Sequence, residues 1–538
     1  MTVLERAKDL LQVKPARQAI NRDIRRMARL VEALAPAPKD DRVIISFNAS
    51  TRITGLSLNA AFAMLTGWSL QLQGVRVVNF ACLHGMRRCV LGTRTDDVLR
   101  EPPCEHCVKQ SNAIYDRQEL VWMAGDPDAD LEDALKGLTL AELQTFTYED
   151  IPLGEICLPS MRWILRRHHL MDDAPTTQLY RDYILSAYSV AIQFEALINE
   201  LHPLAVMVFN GMQFPEAAAR WVAQKHGIPA YSHEVGLRAT SAFFTAGEAT
   251  AYPVDIPDDF QLTPKMDQRL DAYLSKRFKG DFSMAGVKFW PEMSGLDADF
   301  IEKLAQFKQV VPVFTNVIFD TSQPHANVVF EDMFIWLDEV LKVAKQHPET
   351  LFVIRAHPDE SRPGKASRES VADWAAKNQV DDLPNVTFIP PQAYFSSYEM
   401  IQRSKFVMIY NSTIGMEAAI MGAPVLSAGK ARFSQLDTVF FPKTQEAYLA
   451  KLEAFLNADK VEASPEHKIN ARRFLYYQLY RTSLPFEDYL KPDGIWPGFV
   501  RMSDFKWKDL LPENSPTFRV ISEGLLEGKP FLLSDEQD

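Results

Sequence analysis

The stretch that decides the fold is Phe406–Lys430, FVMIYNSTIGMEAAIMGAPVLSAGK. Phe406-Val407-Met408-Ile409-Tyr410 is an apolar run of strand length, and Asn411-Ser412-Thr413 are turn and N-cap formers. Ile414 to Met421 carries helical spacing, Gly422 stops the helix, and Ala423-Pro424-Val425-Leu426 begins the next buried strand. A helix that starts just past the carboxyl end of a strand marks the place where open α/β sheets hold ligands. Its free N–H groups and positive end suit a phosphate.

Working outward, the same alternation runs through most of the chain. Arg42–Phe47 reads as a strand, Thr54–Leu72 as a helix and Val75–Phe80 as the next strand, so a parallel sheet begins here. A long helix, Thr176–Leu201, leads to the strand Leu204–Phe209, the turn Asn210-Gly211, a helix Phe214–His226, and a strand ending on His233-Glu234-Val235-Gly236. A second series follows. The strand Gln309–Phe314 ends on Thr315-Asn316, and Leu351–Ile354 ends on Arg355-Ala356-His357-Pro358-Asp359-Glu360. Asn385–Ile389 then precedes the opening stretch. The expectation is an α/β protein with two doubly wound, Rossmann-like domains facing across a cleft. The divisions read as a helical arm over 1–40, a first domain over 41–290, a second over 291–485 and an extension over 486–538.

Composition agrees with this size of molecule. At 538 residues, with 47% hydrophobic and 24% charged residues, the chain has the makeup of a globular protein with more than one core. A net charge of −12 argues against general nucleic-acid binding. No apolar run is long enough to span a bilayer, and the first residues lack a signal-peptide core, so a cytoplasmic location is expected. The first 40 residues hold nine basic and five acidic side chains, with Arg22, Arg25, Arg26 and Arg29 at helical spacing. This arm reads either as a helix packed on its own domain or as an amphipathic element resting on an anionic membrane surface. Arg166-Arg167-His168-His169 reads as a solvated helix end.

Four of the five cysteines, Cys82, Cys89, Cys104 and Cys107, fall in one loop after the second strand. In a cytoplasmic protein they read as a structural zinc or iron–sulfur site, as reduced thiols, or as a redox pair. His84 and His106 are spare ligands.

The polar strand ends separate into roles. Ser412, Thr413 and the helix start suit a phosphate, while Arg355, His357, Lys430 and Arg432 suit the charge of a leaving phosphate. Glu417 suits ribose hydroxyls. A general base has to come from the other domain, which makes Glu234 or His233 the candidates.

Residues 204–435 resemble the capsular polysaccharide biosynthesis glycosyltransferases of bacteria, which have the GT-B architecture. The carrying residues are Asn210-Gly211, His233-Glu234-Val235-Gly236, Thr315–Asp320, Arg355–Glu360 and Asn411–Glu417. The resemblance implies a nucleotide-sugar donor held mainly by the second domain, with Asn316, Asp320, Arg355, Glu360, Ser412, Thr413, Gly415, Glu417, Lys430 and Arg432 toward it. Glu234, His233 and His357 would carry the chemistry. Asn48, Ser50, Asn210 and Gly211 would face a saccharide or lipid-linked acceptor; the small polar residues after the first strand, with Gly55, resemble an acceptor-side loop. The resemblance implies chemistry without a catalytic cofactor or divalent ion; peripheral contact with the inner membrane, through the basic arm, or with a polysaccharide assembly complex is a separate expectation. The competing readings are a UDP-N-acetylglucosamine 2-epimerase-like enzyme or polyol-phosphate transferase on the same fold, or a non-enzymatic sugar-nucleotide-binding module.

Overall fold

The computed structural model describes residues 13–38, 42–48, 53–125, 128–278, 295–393, 395–495 and 498–534. Two sheets organise them. The first has seven strands: β1 (Val43–Phe47), β2 (Arg76–Leu83), β3 (Glu119–Ala124), β4 (Ala205–Phe209), β5 (Ala230–Val235), β6 (Ser241–Ala246) and β12 (Leu484–Pro485), in the order β12-β6-β5-β4-β1-β2-β3. β3 to β5 run parallel, and β6 and β12 close one edge antiparallel. The second sheet has five parallel strands: β7 (Gln309–Phe314), β8 (Thr350–Arg355), β9 (Val386–Ile389), β10 (Val407–Ile409) and β11 (Val425–Ser427), in the order β11-β10-β7-β8-β9.

The central strands are apolar on both faces because helices cover both. In the first domain, Leu58–Leu72 and Pro516–Glu527 bury one face, around Trp68 and Phe518. Leu153–Leu165, Ala174–Leu201 and Phe214–Lys225 bury the other, around Tyr183 and Phe194. In the second domain, Met333–Gln346 and Gln445–Asn457 pack around Trp336 on one side, and Ile414–Met421 and Pro465–Tyr480 around Tyr476 on the other. Each parallel crossover therefore delivers its loop to the same end of the sheet, the carboxyl end of the strands.

Three features were not read from the sequence alone. β6 extends the first sheet beyond His233–Gly236. The segment from Leu484 onward returns to that sheet: β12 pairs with β6, and Ser69 Oγ donates to the Leu510 carbonyl at 2.6 Å. The helix Pro264–Arg277, placed by the sequence divisions in the first domain, packs into the core of the second; the aromatic residues Phe282, Phe289 and Trp290 that follow it lie outside the described residues.

The N-terminal helix Lys14–Leu34 spends its apolar face on its own domain. Ile20, Ile24, Met27 and Val31 are buried in the first core, while Arg22, Arg25, Arg26 and Arg29 stay exposed. Among the described residues, no helix is long and apolar enough to cross a membrane.

Candidate functional site

The two sheets present their carboxyl ends to a shared cleft of about 600 Å³, within the roughly 300–1,000 Å³ usual for small-molecule sites. From the first domain it is lined by Glu234, Thr250 and Tyr252. From the second it is lined by Asn316, Asp320, His325, His357, Asp359, Ser412, Thr413, Lys430 and Arg432.

Glu234 ends β5 and is held on three sides. Asn210 Nδ2 donates to Oε2 at 2.8 Å, Asn59 Nδ2 donates to Oε1 at 3.3 Å, and the Val235 amide donates to Oε1 at 2.8 Å. Burial raises its pKa above the ordinary carboxylate value, against the pull of these donors. Asn210 reaches this position because it adopts a left-handed backbone, φ +61°, at the end of β4. Gly211 follows at φ +78°, where a Cβ would stand 2.5 Å from Ser232 Oγ. Asn210 and Gly211 thus shape the turn that orients the carboxylate.

Across the cleft, Ile414–Met421 begins with its hydroxyls uncommitted: the N-cap Thr413 makes no side-chain cap bond. Ser412 and Thr413, which precede the helix, line the cleft at its positive end. Asn316 Nδ2 donates to Asn411 Oδ1 at 2.7 Å and braces the loop before it. Exposed Lys430 lies beside this helix start. The Arg432 guanidinium stacks 4.2 Å from the Tyr252 ring centre, across the domain boundary.

His357 Nδ1 accepts the Asp359 amide at 3.2 Å. Desolvation lowers its pKa, so it is neutral at physiological pH, and that hydrogen bond leaves the proton on Nε2. It is a hydrogen-bond donor toward the cleft rather than a base.

Six residues assigned to the site by sequence are taken out of it. His233 has no exposed surface and lies among the rings of Phe62, Phe209 and Phe244; burial drives its pKa down to about 3. It points to the opposite face of β5 from Glu234, as neighbours on a strand must. Arg355 is buried, and its guanidinium holds the carbonyls of Phe395 (2.7 Å) and Ala393 (3.4 Å). Glu360 is buried and accepts the Val371 amide at 3.1 Å. Glu417 is buried too: Arg277 binds Oε1 at 2.6 Å and the Tyr398 hydroxyl donates to Oε2 at 2.5 Å. Gly415 is a packing position, since a Cβ there would lie 2.4 Å from Ile409 Cδ1. Asn48 is buried at the end of β1, away from the cleft lining. Ser50 lies outside the described residues.

The domains are also clasped beside the cleft. His325 Nε2 meets Glu248 Oε2 and Thr250 Oγ1, each at 3.1 Å, and Arg220 secures Glu248 at 2.6 Å. His169 bridges Glu369 at 2.7 Å and Asp332 at 3.2 Å, and these carboxylates raise its pKa to about 10. His168 is buried beside it. The Arg166–His169 segment is therefore an interdomain contact, not a solvated helix end.

Two Rossmann-like domains closing on a cleft between the carboxyl ends of their strands define the GT-B architecture. Residues 291–437 match the family described as capsule polysaccharide biosynthesis protein. Protein FixF of Sinorhizobium fredii is 30% identical over 109 residues, which are 20% of this chain and 23% of FixF. The chain thus matches about a quarter of that relative's length. Among solved structures, the beta Kdo 2,4 transferase KpsC of Thermosulfurimonas dismutans aligns over 52% of this chain and 80% of its own, at 12% identity and a TM-score of 0.34. The UDP-GlcNAc 2-epimerase of Neisseria meningitidis aligns over 81% and 99%, at 13% identity and a TM-score of 0.25.

Proposed function

We propose that this chain is a glycosyltransferase of surface polysaccharide synthesis. It moves a sugar from a nucleotide-sugar donor to a hydroxyl of a saccharide or lipid-linked acceptor. The observation that carries the reading is the pairing, across one cleft, of a positioned carboxylate with a phosphate-type site. The family match over 291–437 supports it independently.

The chemistry divides between the domains. Glu234 takes the proton of the acceptor hydroxyl as its oxygen bonds to the anomeric carbon. The bond from that carbon to the donor phosphate breaks, and the electron pair leaves with the phosphate. The start of Ile414–Met421, Thr413, Lys430 and the Nε2–H of His357 receive the developing charge. These groups can stabilise the leaving phosphate without a divalent ion, so activity is expected to survive chelators. The partially desolvated Glu234 is a stronger base than an exposed carboxylate.

The epimerase reading loses an acid/base group, because His233 is sealed in the core. A location on the cytoplasmic face of the membrane, with the basic face of Lys14–Leu34 toward anionic lipid, fits the exposed arginines.

The test is a panel of nucleotides and sugar nucleotides screened by thermal shift, followed by turnover of the best donor by Glu234→Gln and Lys430→Ala. Glu234→Gln is expected to lower kcat by about 10²–10⁴-fold with nucleotide affinity retained. Lys430→Ala is expected to weaken nucleotide binding. Unchanged turnover in Glu234→Gln would overturn the assignment of the base.

A further inference from the structure

The transferase reading leaves the four cysteines of the β2–β3 connection without a task, and the fold brings them together. Cys82 ends β2, Cys89 lies in the loop beyond it, and Cys104 and Cys107 open the helix Cys104–Ile114. All four line one pocket with Ile53 and His84, and all four are half-buried and outside any disulfide.

Two of the sulfurs sit in the same local device. Cys82-Leu-His-Gly85 and Cys89-Val-Leu-Gly92 are both Cys-x-x-Gly turns. Cys82 accepts hydrogen bonds from the amides of Gly85 and Met86, and Cys89 accepts the Gly92 amide at 3.2 Å. The glycines are needed for the close packing. A Cβ on Gly85 would stand 2.4 Å from the Met123 carbonyl oxygen, and one on Gly92 would stand 2.7 Å from Pro102 and 3.1 Å from Cys89 Sγ. His84 adopts φ +54° to complete the first turn. Amides aimed at a sulfur favour thiolate over thiol, and such bonds surround thiolate-bound metal centres. Four cysteines lining one pocket, two of them with amide donors, form a ligand set for a thiolate-bound centre.

Spacing distinguishes the cations. A single zinc with sulfurs at about 2.3 Å draws them to about 3.8 Å from one another. Among the described residues, which include all four cysteines, no three of these sulfurs lie within 4.8 Å of one another. A cubane cluster attaches each thiolate to a different iron corner, so its ligands stand further apart than those of one ion.

We propose that Cys82, Cys89, Cys104 and Cys107 ligate a four-iron, four-sulfide cluster. Each cysteine loses its thiol proton and bonds one iron; two ferrous ions, two ferric ions and four sulfides are supplied together as the cluster assembles, so no electron is lost or gained. The cluster ties the end of β2, the following loop and the start of Cys104–Ile114 into one unit. Through Ile53, that unit abuts the loop after β1 on the acceptor side. The role is structural and independent of the transferase reading.

The full chain is purified without oxygen and assayed for iron, zinc and acid-labile sulfide, with its visible spectrum, before and after reconstitution with ferrous and ferric iron and sulfide. The expected result is about four iron and four sulfide per chain with a broad visible band. Cys104→Ser and Cys89→Ser should lose both, and the circular dichroism of each variant reports whether it folded. Because a variant can fail to fold, the wild-type stoichiometry is decisive. One zinc per chain, or neither metal after reconstitution, overturns the proposal.

Discussion

Replacing Arg277 by methionine strands a buried carboxylate. Glu417 is 2% exposed, and Arg277 supplies Nε and Nη2, each at 2.6 Å, to its Oε1. After the replacement only the Tyr398 hydroxyl remains to it among these contacts. Breaking a buried ion pair from one side costs about 3–5 kcal/mol, because the uncompensated charge stays behind. Arg277→Met is therefore expected to destabilise the second domain by about that amount in denaturant unfolding. Adding Glu417→Gln removes the stranded charge, so the double variant should recover much of the loss. A coupling of at least about 1 kcal/mol between the two sites is expected from residues in direct contact. The same proteins are titrated with the nucleotide that gives the largest thermal shift. Its affinity should be unchanged in every variant that remains folded, since Glu417 is turned away from the cleft. The reasoning is refuted if Glu417→Gln leaves stability within about 0.5 kcal/mol of the parent while nucleotide affinity falls at least tenfold. That result would return Glu417 to the donor site.

Two pH effects follow from other titratable groups. Glu360 has a folded-state pKa raised to about 8 from 4.5. The folded state therefore binds more protons than the unfolded chain between those values, and stability falls as pH rises through that window. Glu360→Gln keeps an acceptor for the Val371 amide and should flatten this slope, giving a variant more stable than the parent at pH 8 but not at pH 4.5. His169 shifts in the same direction for a different reason, its ion pairs with Asp332 and Glu369. Its folded pKa is raised to about 10 from 6.5, so its contribution is complete below pH 6.5 and fades as pH rises through 10. His169→Ala should loosen the domain clasp at neutral pH, seen as a larger radius of gyration in solution scattering, and should differ little from the parent above pH 10.

The strand ends were legible because apolar runs and polar turns alternate at regular spacing. Glu234, His357, Ser412, Thr413 and Lys430 meet in one cleft because parallel crossovers bring all such ends to one side. What misled was adjacency. His233 and Glu234 are neighbours, and on a strand only one of two neighbours can face the cleft; the period of two was enough to choose between them. Arg355 and Glu417 occupy strand-end and helix-start positions, but their partners, Phe395 and Arg277, are 40 and 140 residues away. No local pattern reports such pairing. The same distance hid His169, whose partner Glu369 is 200 residues on. Asn59 was within reach. It lies in the first turn of a helix that follows a strand, capped by Ser57, which is the same position in a crossover that singled out Ser412 and Thr413.

The return of the chain to its first sheet bears on how the molecule is made. β12 and Pro516–Glu527 complete a core begun by β1 and Leu58–Leu72, and Gln73 Nε2 donates to Ser522 Oγ at 2.8 Å. On the ribosome those partners are separated by the entire second domain. At about 5–20 residues per second, the early helix waits tens of seconds for the segment that covers it. The second sheet is contiguous in sequence and can close before synthesis ends. The N-terminal half is thus the last part to finish folding, and it spends that interval with an apolar helix face and an unpaired strand edge open to chaperones. Truncation from the C-terminus would damage the beginning of the protein first.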